Sequence, residues 1–157
     1  MAITSSSSAE GDRTLIIIRK FEPQDFQWVI NIERMVFDEH DPYLYMQFYE
    51  TNPDGFIVAE INGIVVGYVA GFLATPEVGR IFSLAVHPAY QNRSVGSLLL
   101  KEIINIFRKE GVLEVILEVR SSNIKARKFY EKHGFYQNGI IEKYYNNEDA
   151  CSMRLEL

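Results

Sequence analysis

The residues best suited to chemistry lie in Leu84-Ala-Val-His-Pro-Ala-Tyr-Gln-Asn-Arg-Ser-Val-Gly-Ser97. The pattern is a strand that runs through a turn into a helix whose first turn holds small residues. Backbone N–H groups at such a helix start have no carbonyl one turn earlier to donate to, and the helix dipole adds positive potential, so a pyrophosphate can rest there. Gly96 lets the backbone approach the phosphates closely. Gln91 and Arg93 can add donors. An ordinary strand–turn–helix with a serine cap carries the same letters, so both readings stay open on this stretch alone. Glu118 is a second candidate. Strand alternation puts Val115, Leu117 and Val119 on one face, and Glu114, Ile116 and Glu118 on the other. A carboxylate at that strand's end is either a general base or an exposed terminal charge. His87 stands before Pro88 and reads as a turn residue. His40 and His133 have no metal-ligand spacing. The single cysteine, Cys151, reads as a small apolar residue on a late strand.

Several elements must hold these residues in place. Thr14 to Arg19 is β-branched and predicts a strand. Phe26, Val29, Ile30, Ile32, Glu33 and Phe37 follow a helical period, which Asp41-Pro42 breaks. Tyr43 to Glu50 predicts a second short helix. Phe56–Ile61 and Ile64–Phe72 read as strands joined by Asn62-Gly63, a strong hairpin signal because both turn residues take positive φ. Gly79 to His87 is a further strand. Val95, Leu99, Ile103 and Ile106 predict a long helix from Ser94 to Glu110 that packs on a sheet. Val112–Val119 is a strand, and Asn123–His133 a helix with Asn123 as its N-cap. Phe135–Tyr145 and Ala150–Leu157 close the chain as strands. The expected class is α/β, with a mixed, mostly antiparallel sheet of about seven strands and about four helices.

The chain has 157 residues, ordinary globular composition and a net charge of −5. That length fits one domain over residues 14–157. The acidic balance speaks against general nucleic-acid binding. Residues 1–13 include four consecutive serines and lack the apolar stretch of a signal peptide. They read as a disordered leader. No apolar run approaches a membrane span, and one cysteine excludes an internal disulfide, so a soluble, cytoplasmic protein without membrane partners is expected.

Three blocks resemble one family. Gln91-Asn-Arg-Ser-Val-Gly96 is similar to the Q/R-x-x-G-x-G/A motif of the GNAT superfamily of N-acetyltransferases, with Ser94 where the motif has its first glycine. Leu117-Glu-Val-Arg-Ser-Ser-Asn-Ile-Lys-Ala-Arg-Lys-Phe-Tyr-Glu-Lys-His-Gly-Phe135 and Tyr144-Tyr-Asn-Asn-Glu-Asp-Ala-Cys-Ser-Met153 resemble the branch that acetylates ribosomal-protein alanine and other protein N-termini, of archaeal type. The resemblance implies acetyl-CoA as cosubstrate, no metal, and transfer to a primary amine, with protein or peptide N-termini as partners. It implies coenzyme contacts from the backbone of Leu84, Ala85 and Val86, from Gln91, Asn92, Arg93, Ser94, Val95, Gly96 and Ser97, and from Asn123, Ala126, Phe129 and Tyr130. Tyr130 matches the tyrosine that faces the thioester sulfur, although an aromatic half-buried on a helix has the same pattern. Glu118 and Glu39 are rival bases. Glu39 stands three residues before Pro42, where archaeal N-terminal acetyltransferases carry a glutamate. Phe37, Tyr43, Tyr144 and Tyr145 are the implied substrate contacts. A small-amine acetyltransferase acting on polyamines or antibiotics and a non-catalytic acetyl-CoA-binding module are the alternatives, and a homo-oligomer is compatible with either.

Overall fold

The computed structural model describes the backbone of residues 3–6 together with residues 15–37 and 41–157. Among them are eight strands and four α-helices. The strands are β1 (Ile3–Ser6), β2 (Leu15–Lys20), β3 (Phe56–Ile61), β4 (Ile64–Thr75), β5 (Val78–Val86), β6 (Glu114–Arg120), β7 (Tyr136–Tyr145) and β8 (Glu148–Glu156). The helices are α1 (Phe26–Val36), α2 (Pro42–Thr51), α3 (Val95–Lys109) and α4 (Ile124–Lys132). This is the expected mixed α/β class, with one strand more than the seven read from the sequence.

The added strand corrects the expected disorder of residues 1–13 at Ile3–Ser6. These four residues pair antiparallel with β2, Ile3 opposite Ile18 and Ser6 opposite Leu15. The edge of β2 offers unpaired main-chain donors and acceptors, and backbone pairing needs little from the side chains. Residues 1, 2 and 7–14 lie outside the described residues.

The chain divides into two compact units: Met1–Phe72 with Phe82–Ile106, and Leu73–Ile81 with Phe107–Leu157. In the first, β1 to β4 are hydrogen-bonded in chain order, all antiparallel. Asn62 and Gly63, at φ 52° and 79°, make the expected tight turn between β3 and β4. Asp41 does more than end the preceding segment: its side chain accepts from Tyr43 N–H and caps α2, with Pro42 in the first turn. Val29 and Ile32 of α1 and Tyr45 and Phe48 of α2 bury against Phe56, Val58 and Tyr68. Arg19 anchors the entry to α1 through a bidentate bond to the buried Asp25 carboxylate at 2.8 and 2.9 Å. Gly67 on β4 leaves room for the first turn of α3. A Cβ there would stand 3.1 Å from both Val95 and Leu99.

In the second unit the order is β5, β6, β8, β7. β5 runs parallel to β6, and β8 antiparallel to both β6 and β7. Val115, Leu117 and Val119 are buried with Cys151 and Met153 of β8, as the alternation predicts. Gly79 accommodates the Phe107 ring, which a Cβ would meet at 2.8 Å. Among the described residues, no helix is long and apolar enough to cross a membrane.

Candidate active site

In the first unit the end of β5 is fixed before the chain turns. Ala85 and Val86 are buried. His87 N–H donates to the Val66 carbonyl at 2.8 Å, and His87 Nδ1 accepts from Ala89 N–H at 3.0 Å. His87 is thus committed to the turn. Gln91 Nε2 donates to the Val86 carbonyl at 3.0 Å and so ties the loop to the strand. The Arg93 guanidinium lies 5.6 Å from the Tyr90 ring centroid. Asn92 and Ser94 have φ of 62° and 69°, and these two left-handed residues turn the chain sharply into α3. Leu98 N–H donates to Ser94 O at 3.1 Å, which makes Ser94 the residue before the first helical turn. Helix geometry therefore leaves Val95 and Gly96 N–H without an intrahelical acceptor, as the cradle requires.

Behind the strand lies a cluster that the sequence did not announce. Tyr45, Tyr68 and Ser83 hydroxyls form a triangle with sides of 3.0–3.1 Å. Burial raises both tyrosine pKa values, the buried Glu33 adds to the effect, and the Ser83 bonds oppose it. A serine within the otherwise apolar Ile81-Phe-Ser-Leu-Ala-Val86 was the available signal. Phe37 packs against this core, while Tyr43 is 78% exposed. Glu39, the rival base, lies outside the described residues.

In the second unit, Glu118 projects from the half-buried face of β6, as the alternation predicts, and is ion-paired with Arg80. Arg80 on β5 is in register with Ile116, so it shares the face of Glu118. Tyr130 is 6% exposed, with Phe129 and Phe135 rings at 5.1 and 5.4 Å. Burial holds its hydroxyl pKa far above the ordinary tyrosine value, and Tyr145 adds to the shift. Asn123 Oδ1 accepts from Ala126 N–H at 3.1 Å and caps α4 as expected. Ala126 and Phe129 are half-buried beside Tyr130 in sequence.

Tyr144 and Tyr145 stand edge to face at 5.0 Å. Arg120 sits 4.3 Å from the Tyr145 ring centroid and donates to Asn147 Oδ1 and Glu148 Oε1. Glu148 also accepts from the N–H and hydroxyl of Ser122. Asp149 Oδ1 accepts from the N–H of Lys143, whose φ is 50°. The acidic pair Glu148-Asp149 therefore frames the hairpin that presents the two tyrosines. Burial, with help from Tyr144 and against Arg120, pushes Tyr145 up to about 12. Burial and the Glu118 charge raise Tyr144, and Arg80 opposes them, so the three groups are within electrostatic reach.

A family model described as "Acetyltransferase (GNAT) family" matches residues 20–135, most of the chain. The chain belongs to the acetyltransferase (GNAT) family. It is 40% identical over 141 residues to an "uncharacterized N-acetyltransferase" of Methanocaldococcus jannaschii, over 88% of this chain and 90% of that one. It is 31% identical to an "N-alpha-acetyltransferase" of Sulfurisphaera tokodaii, over 89% of this chain and 92% of the relative. The crystal structure of Ard1 from Thermoplasma volcanium superimposes with a TM-score of 0.88 at 30% identity, covering 90% of this chain and 97% of that one.

This GNAT enzyme is therefore an acetyl-CoA-dependent N-acetyltransferase, and its departure from the family motif acquires a physical meaning. Ser94, at φ 69°, occupies the backbone region that glycine enters without steric cost, and a serine there costs on the order of 1 kcal/mol. At Gly96 the enzyme retains the small residue. Gly96→Val is expected to keep the fold and weaken acetyl-CoA binding, because a branched side chain displaces the phosphates from the first turn. Steric overpacking of about 1–3 kcal/mol corresponds to roughly fivefold to 150-fold in Kd. Calorimetry checks this, and an unchanged Kd would remove the loop from the coenzyme site.

Proposed function

We propose that this enzyme acetylates the α-amino group of protein or peptide N-termini. The observation that carries the reading is the Tyr144–Tyr145 hairpin, braced by Arg120, Glu148 and Asp149. The similarity to the N-alpha-acetyltransferase of Sulfurisphaera tokodaii supports it. The enzyme's substrates on this reading are cytoplasmic proteins and peptides, which a single, buried cysteine supports.

The assigned roles follow from the chemistry of acyl transfer. Val95 and Gly96 N–H, with Asn92, Arg93, Ser94 and Ser97, receive the pyrophosphate. Backbone groups of Leu84, Ala85 and Val86 bind the pantetheine arm, and Gln91 holds that strand end and adds a donor to the coenzyme site. Asn123, Ala126 and Phe129 are further coenzyme contacts. Phe37, Tyr43, Tyr144 and Tyr145 contact the peptide. Glu118, or Glu39 in its place, takes a proton from the substrate ammonium. The amine lone pair then attacks the thioester carbon, the C–S bond breaks, and the leaving thiolate receives a proton from the Tyr130 hydroxyl; the acetylated nitrogen sheds its remaining extra proton, which restores that hydroxyl, and the carboxylate releases the first proton to solvent. An α-amine has a pKa near 8, about 2.5 units below lysine, so a carboxylate can deprotonate it at neutral pH far more readily.

Mass spectrometry tests the assignment on peptides that carry both a free N-terminus and an internal lysine. The acetyl group is expected on the N-terminus. Acetylation mainly on the lysine, or turnover of polyamines with peptides untouched, would refute it.

A further inference from the structure

Arg80 has donor capacity to spare. A guanidinium carries five N–H groups and binds a carboxylate best with two of them in parallel. Arg19 uses both terminal nitrogens in that way on Asp25, and Arg120 is occupied by Asn147, Glu148 and the Tyr145 ring. Among the described residues, Arg80 spends Nη1 alone, on one oxygen of Glu118. The Arg80 side chain is 31% exposed and the Glu118 side chain 10%. Both stand on one sheet face and act electrostatically on Tyr144. An open fork thus lies beside the carboxylate assigned as base and near a tyrosine assigned to the peptide.

Charge balance points the same way. When Glu118 takes up the substrate's proton, Arg80 loses its counter-charge in a partly buried place. An anionic group carried by the substrate would replace the lost partner. It would have to sit a few bonds from the reacting nitrogen, which is where the side-chain carboxylate of a first-position Asp or Glu sits.

We propose that Arg80 is a specificity-determining residue that binds the side-chain carboxylate of an acidic first residue, so that the enzyme prefers N-termini beginning with Asp or Glu. The inference rests on the N-terminal reading above. Its test is kcat/KM on peptides identical except at the first position, compared as near-isosteric pairs: Glu against Gln, and Asp against Asn. In the wild-type enzyme the acidic member of each pair should be favoured about tenfold or more, as for a charge-assisted hydrogen bond. Arg80→Gln should bring both ratios to about one. Arg80→Lys, which keeps the charge and loses the fork, should give an intermediate ratio. A wild-type ratio of one or below would overturn the proposal whether or not the variants fold, and so would an acidic preference that survives in folded Arg80→Gln. If no peptide is acetylated at its N-terminus while lysine or polyamines are, the N-terminal reading fails and this inference falls with it. If N-termini are acetylated without regard to charge, only the role of Arg80 fails.

Discussion

Tyr130→Phe is expected to lower kcat about 10²-fold while KM for acetyl-CoA changes little, the usual scale for loss of a positioned acid. The substitution deletes one oxygen from a ring held between Phe129 and Phe135. Phenylalanine fills the same space, so packing is preserved and the measurement isolates the hydroxyl. That hydroxyl stays protonated throughout the working range, because burial disfavours the phenolate. Holding its proton is the precondition for donating to a thiolate as charge develops on sulfur, although the same burial weakens the hydroxyl as an acid. It contributes little to ground-state binding, and hence kcat is expected to fall while KM stays. Steady-state kinetics with the acceptor saturating decides the matter. A wild-type kcat would leave Tyr130 as a packing aromatic whose match to the family motif reflects shape alone.

What could be read beforehand was local. The alternation across Glu114–Val119, the Asn62-Gly63 turn, the period of α3 and the Asn123 cap are each encoded within a few residues, and each is found where the pattern put it. Strand β1 escaped because its pairing with β2 is made by the main chain, and composition reports on side chains. The Arg80–Glu118 pair escaped for a different reason. Its members are 38 residues apart and meet only through the parallel register of β5 on β6. The frame of Arg120, Ser122 and Glu148 around Tyr145 likewise joins β6 to the closing hairpin. Gln91 shows the limit of motif reading. Its presence matches the family, and the letters do not disclose that its amide also spans the loop to Val86. The positive φ of Ser94 supplies the reason that the family motif favours glycine there, which the letters by themselves do not state.

Glu118→Gln is expected to reduce kcat/KM by about 10²- to 10⁴-fold, the range for removal of a positioned general base. It should also abolish the fall in kcat/KM on the acidic side of the pH profile that this carboxylate causes. The direction follows from the chemistry. Only the ionised carboxylate can accept the ammonium proton, so activity drops as acid titrates it, whereas the amide has no such titration. The competing explanation is that Glu118 serves only as the partner of Arg80. Glutamine separates the two, because its amide oxygen can still accept from Arg80 Nη1 where Glu118 Oε1 accepts now. Losing the negative charge of a pair in which Arg80 is 31% exposed should cost about 1 kcal/mol of stability or less. A variant that melts close to the wild type, keeps its Kd for acetyl-CoA and loses both rate and acidic limb has lost a base. If it keeps its rate and the same pH profile, the amine sheds its proton to water or to Glu39, and the Arg80–Glu118 pair is part of the sheet's framework alone.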